Sequence, residues 1–122
     1  MIIYRADKER NILFISITGQ IQKDKMAELL EQFAKKCAEL REFFTIINDI
    51  SLLKITSESE LEIMNKATTM MREKFHIGRV IRIIGTNTSY EKILKQSDTI
   101  NKLEDIHYVS TKKKALETLY KF

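Results

Sequence analysis

The stretch that most constrains this chain is Phe43-Phe44-Thr45-Ile46-Ile47-Asn48-Asp49-Ile50-Ser51, with Ser57-Glu58-Ser59-Glu60 after it. Its apolar residues stand on consecutive positions, and most are β-branched. A strand with one wet face alternates apolar and polar residues. A continuous run is the pattern of a strand covered on both faces, as in a parallel sheet with helices packed on it. The run closes in Asn-Asp, and Leu52-Leu53-Lys54-Ile55-Thr56 reads as a loop. Ser57 then precedes Glu60 by three positions, a capping box that opens a helix. A central strand thus hands over to a helix at the carboxyl edge of a sheet. Open α/β sheets meet ligands and partners at that edge.

The remaining chain supplies the other layers. Residues 2–6 and 12–18 read as strands joined by the charged turn Asp7-Lys8-Glu9-Arg10-Asn11, so the first pair is an antiparallel hairpin. Residues 22–40 read as the first helix. Met26, Leu29, Leu30, Phe33, Cys37 and Leu40 recur at three and four residues and form its apolar stripe. Residues 44–49 form the third strand. The second helix runs from Ser57 to Phe75 on Leu61, Met64, Ala67, Met71 and Phe75, with Met64, Met70 and Met71 as gap-filling core. Gly78 ends it as the residue past the cap. Residues 79–84 form the fourth strand, stopped by Gly85. Thr88-x-x-Glu91 opens a third helix, residues 105–109 form the fifth strand, and Thr111 caps a last helix carrying Ala115, Leu116, Leu119 and Phe122. The expected fold is α/β, with a single mostly parallel five-stranded sheet, an antiparallel amino-terminal hairpin strand and about four helices, in one domain over residues 1–122.

Several functions lack their signatures. No apolar run approaches the ~20 residues of a membrane span. The start, Met1-Ile2-Ile3-Tyr4-Arg5-Ala6-Asp7, turns polar too early for a signal peptide. With a lone cysteine, Cys37, this points to the cytoplasm. The net charge of +4 comes from 21 basic and 17 acidic residues of interspersed sign. That is not the concentrated basic face of a nucleic-acid binder. There is no Gly-rich phosphate loop, no Gly-x-Ser-x-Gly and no His-Glu-x-x-His. His76, His107 and Cys37 fall on separate elements and make no metal pattern. No cofactor, metal or catalytic residue is expected. Cys37 reads as a small buried hydrophobe, His76 as a helix-end cap and His107 as a packing residue.

Two features break local rules. Arg82 lies inside a strand, where burial requires a partner such as Asp49 or a helix glutamate, or else an open strand end. Lys112, Lys113 and Lys114 occupy the first turn of the last helix, where each opposes the macrodipole by up to ~1 kcal/mol at low salt. They are either a solvated run or part of an anion site. In the second case Lys54, Thr88, Ser89, Lys112 and Lys113 gather with Ser57 at the carboxyl edge.

In element order the chain resembles the STAS, or SpoIIAA-like, superfamily of anti-sigma-factor antagonists and their small relatives. Ile46-Ile47-Asn48-Asp49-Ile50-Ser51 is similar to that family's strand ending ahead of the second helix. Val109-Ser110-Thr111 with Ala115-Leu116 and Leu119 is similar to its closing strand and helix. In the antagonists a serine at the start of the second helix, in an Asp-Ser-Ser-Gly-like motif, is phosphorylated by a partner kinase. The matching region here is Ile55-Thr56-Ser57-Glu58-Ser59, in which Ser57 matches best and Ser59 next; the motif's Asp and Gly are absent. The resemblance implies a non-catalytic, cytoplasmic regulatory or protein-interaction module that docks a protein partner, a kinase or another regulator. Docking would use the loop and helix after the third strand, with Asp49, Ser51, Ser57 and Ser59 as contact or modification residues. The alternative is a domain binding a small anionic, nucleotide-like ligand at the same edge. Homodimerisation stays open.

Overall fold

The computed structural model describes residues 1–54, 70, 72–86, 95 and 106–120. The expected second helix from Ser57, with Ser59, Leu61, Met64, Ala67 and Met71, lies outside these residues. So do the third helix opening at Thr88 and Ser89, and Phe122.

The described strands are β1 (Ile2–Asp7), β2 (Ile12–Gly19), β3 (Phe44–Leu53), β4 (Ile77–Ile83) and β5 (Ile106–Val109). They form one sheet in sequential order, β1-β2-β3-β4-β5, with β3 at its centre. β1 is antiparallel to β2, and the other neighbouring pairs are parallel. The hairpin turn follows from its residues. Asn11 takes φ 57, and the Asp7 carboxylate accepts from Arg10 N at 3.0 Å and Nε at 2.7 Å.

Sequential parallel strands joined by right-handed crossovers place their connections on one face of the sheet. The helix α1 (Met26–Cys37) lies on that face. Its Phe33 and Cys37 are buried with Leu13, Ile15, Phe44, Ile46 and Val80, and Phe75 packs against the same cluster. Phe33 meets Tyr4 and Phe75 edge-on, at centroid distances of 6.2 and 6.0 Å. The helix α2 (Lys112–Leu119) follows the last strand and carries no crossover, so it can take the other face. There Ala115 is buried with Ile12, Ile47, Ile81 and Ile83. Adjacent residues Ile46 and Ile47 therefore enter opposite cores, which is why the β3 run is continuous rather than alternating.

Several expected boundaries move. α1 ends at Cys37 rather than Leu40, and a short 3-10 turn, Lys23–Lys25, precedes it. β3 continues past Asp49 to Leu53, because a register shift between Ser16 and Thr18 lets the two strands stay paired out to Gly19 and Leu53. Gly78 does not terminate a helix. It lies inside β4, where a Cβ would stand 2.5 Å from the Phe43 carbonyl oxygen. The entry of β3 approaches too closely there for any side chain. Met70 is 36% exposed and is not core. His76 is exposed, and its ring meets that of Phe43 edge-on at 5.9 Å.

Candidate functional site at the carboxyl end of the central strand

The register sorts the residues at this end onto two faces. Ile15, Asn48, Arg82 and Tyr108 form one cross-strand row on the α1 face. Ser16, Asp49, Ile83 and Val109 form the next row, on the α2 face. Asp49 and Arg82 thus point to opposite sides of the sheet. Arg82, 7% exposed, instead has its Nη1 3.5 Å from Asn48 Oδ1, across the β3–β4 pair. Beside it, Lys95 Nζ stands 5.4 Å from the Tyr108 ring centroid.

Asp49 turns to its own strand. Its Oδ1 accepts from Ser51 Oγ at 2.6 Å and from Ser51 N at 3.1 Å. One carboxylate oxygen therefore fixes both the backbone and the hydroxyl of Ser51 at the irregular part of β3. This is the side-chain turn that Asp makes to the backbone two residues on. Gly85 closes the site from β4's side. It takes φ +65, and a Cβ there would meet Ser51 Cβ at 3.0 Å. Beyond Ser51 the strand projects Leu52 outward, 66% exposed, buries Leu53, and leads into exposed Lys54. Lys54 N donates to Gly19 O at 2.9 Å.

The other expected site residues are placed as follows. Ser57, Ser59, Thr88 and Ser89 lie outside the described residues. Lys112 and Lys113 are exposed in the first turn of α2, whose cap is the expected one: Lys114 N donates to Thr111 Oγ1 at 3.1 Å. Lys112 Nζ leans back over the sheet, 6.0 Å from the Phe14 ring centroid. Phe14 is in register with Ile47, one row in from Asp49. Among the described residues, no three His, Cys, Asp or Glu side chains converge as for a metal. Burial pushes the Cys37 thiol up to about 12, so it stays protonated and is a packing group. Among the described residues, no helix is long and apolar enough to cross a membrane.

Sequence reasoning passed over Asn48, Gly85 and Leu52. Asn48 was legible as polar, but its role needs the register that sets it opposite Arg82. Gly85 was legible only as a strand stop. Leu52 looked like loop because the strand irregularity that exposes it has no local sequence signal.

No family model matches the chain, and no curated protein matches it in sequence. Solved structures do match in shape. The anti-sigma factor antagonist SpoIIAA in its unphosphorylated form superposes with a TM-score of 0.65 over 100% of both chains, at 11% identity. An anti-sigma factor antagonist from Mycobacterium paratuberculosis superposes with a TM-score of 0.58, covering 98% of this chain and 94% of that one, at 16% identity. Shape kept over the whole length at such identity is evidence of architecture. The chain has the SpoIIAA-like, or STAS, fold.

Proposed function

We propose that this protein is a non-catalytic, cytoplasmic regulatory module that docks a protein partner through residues 51–64, the end of the central strand and the segment that follows it. The partner is a kinase or another regulator, and the hydroxyls offered to it are those of Ser51, Ser57 and Ser59, with Ser57 first. The carrying observation is the Asp49–Ser51 clamp. A carboxylate at 2.6 Å holds the Ser51 hydroxyl at the strand's carboxyl end, and the following residues, Leu52 and Lys54, stand exposed. A held polar group beside an exposed apolar one suits recognition, since ordering costs are already met before binding. Two structural neighbours are anti-sigma factor antagonists, one of them in its unphosphorylated form, which supports a regulatory role. The test is affinity purification from the native host, comparing wild type with Lys54→Glu. A stoichiometric partner should be retained by the wild type and lost from the variant, with equal thermal stability of the two proteins. Equal retention by both would overturn the assignment of this segment.

A further inference from the structure

The amino edge of the parallel strands carries a residue that its own backbone disfavours. Phe43, immediately before β3, takes φ 59. The left-handed region is crowded for a bulky side chain, and strain of this kind clusters at functional sites. The ring gains little cover in exchange. Phe43 is 67% exposed, and among the described residues its aromatic contact is the edge of the exposed His76 ring.

The conformation is nevertheless firmly held. Phe43 N donates to His76 O at 2.6 Å, and Gly78 leaves room for the Phe43 carbonyl. On the other side, Asn11 fixes the two preceding residues. Its Oδ1 accepts from Arg41 N at 2.8 Å, and its Nδ2 donates to Glu42 O at 3.4 Å. Thr45 N then donates to Asn11 O at 3.0 Å. The residues entering β2 and β4 therefore present the ring in one position, which lowers the ordering cost of a contact made through it.

The charges beside the ring are opposite in sign. Arg41 and Glu42 are both exposed, and neither makes an ion pair among the described residues. Arg41 Nη1 donates to the Lys8 carbonyl at 3.2 Å. The nearby Lys8 and Arg10 side chains are neutralised by carboxylates of their own chain. Beside His76, the exposed Glu73 and Lys74 again place one charge of each sign.

We infer that this patch is an isologous contact with a second copy of the chain, centred on Phe43. A two-fold axis sets residue i against residue j and j against i. Both members of each pair are present here. Arg41 opposes the partner's Glu42, and the Phe43 ring lies on the partner's His76. The charges of Arg41, Glu42, Glu73 and Lys74 cancel, so the patch favours neither an acidic nor a basic partner, whereas the chain itself offers the matching array of opposite signs. Residues 51–64 belong to the opposite edge of the sheet and stay open in both copies, so the dimer presents two docking segments. The contact does not depend on the segment proposed above.

Sedimentation velocity over a wide range of protein concentration reads the association. The wild type should pass from monomer to dimer as concentration rises. Phe43→Asn removes the ring and supplies a residue that tolerates the left-handed conformation. It should abolish the dimer and raise the urea midpoint of the monomer. Arg41→Glu should weaken the dimer at least ~10-fold, because it sets two glutamates against each other in both halves of the contact. The exchanged pair Arg41→Glu/Glu42→Arg should restore it, since the two-fold axis brings the swapped signs together again. Lys54→Glu should leave the association unchanged. A monomer at all concentrations, a dimer that Phe43→Asn leaves intact, or an exchanged pair no tighter than Arg41→Glu would overturn the inference. So would a dimer lost in Lys54→Glu, which would place the contact at the other edge. A lowered urea midpoint in Phe43→Asn would also overturn it, by giving the ring its role inside its own protomer.

Discussion

At the scale of single residues, the site rests on a contact between two side-chain positions that share no sequence neighbourhood. Gly85 has φ +65 and faces Ser51 across a gap that admits no Cβ without crowding, at 3.0 Å. Gly85→Ala should therefore destabilise the fold by about 2 kcal/mol, from left-handed strain of roughly 1–2 kcal/mol plus the overlap with Ser51. Urea melts of the double variant Gly85→Ala/Ser51→Gly should return only the overlap part. Strict additivity would show that the two residues are not in contact. Cys37 illustrates what is legible at this scale. Its place in an apolar stripe at helical spacing predicted a buried hydrophobe, and it is 3% exposed. The contact of Arg82 with Asn48 was not legible in the same way. Choosing between Asn48 and Asp49 depends on strand parity across β3 and β4, which one sequence does not print.

At the scale of elements, and among the described residues, local sequence signals such as the Thr111 cap held, while signals that depended on a neighbouring strand failed. The Thr111 cap is a short-range pattern and is present as a hydrogen bond of 3.1 Å to Lys114 N. The helical stripe of α1 and the hairpin turn at Asn11 are likewise local. β3 outruns its expected end because pairing with β2 resumes after the register shift, and Gly78 is needed by the close passage of Phe43 rather than by a helix end. α2 itself carries a testable misfit. Its first turn holds lysines and no acidic residue. Lys113 is exposed and its side chain is free of the Phe14 contact made by Lys112. Lys113→Glu should stabilise the protein by about 0.5 kcal/mol at low salt, since an anion there complements the dipole, and the gain should shrink at high salt. Thermal melts at two salt concentrations measure this. A loss of stability at low salt would mean that the lysine serves a contact worth more than the dipole.

At the scale of the whole molecule, the sheet order, the shared central strand and the two differently covered faces explain both the core and its pH behaviour. Burial on the α1 face raises Cys37 from 9.0 to about 12. Burial, together with the charge on Cys37, raises Tyr4 from 10.0 to about 12. The unfolded chain thus ionises before the folded one. The contribution of these two groups to stability is therefore full below pH 9.0 and is lost as pH rises toward about 12. On the acid side, the Arg10 backbone and side-chain N–H groups hold Asp7 below its ordinary 3.8, so that contribution is lost as pH falls through the lowered value. Cys37→Ala should flatten the first part of the alkaline decline in urea midpoints, and an unchanged slope would place the loss in other groups. The fold class was legible because consecutive apolar residues in β3 demand cover on both faces. The exposure of Ile3 and Leu52 was not, because nothing in either residue distinguishes an exposed strand residue from a buried one. The central claim is that a partner docks on the segment after β3. Site-specific photo-crosslinking in the native host tests it most directly, with the photoreactive residue placed in turn at Lys54, at Ile3 and at Glu39. The account predicts one discrete adduct from Lys54, absent from Glu39, which lies just past the carboxyl end of α1. Adducts of equal yield from Lys54 and Glu39, or none from Lys54, would contradict it.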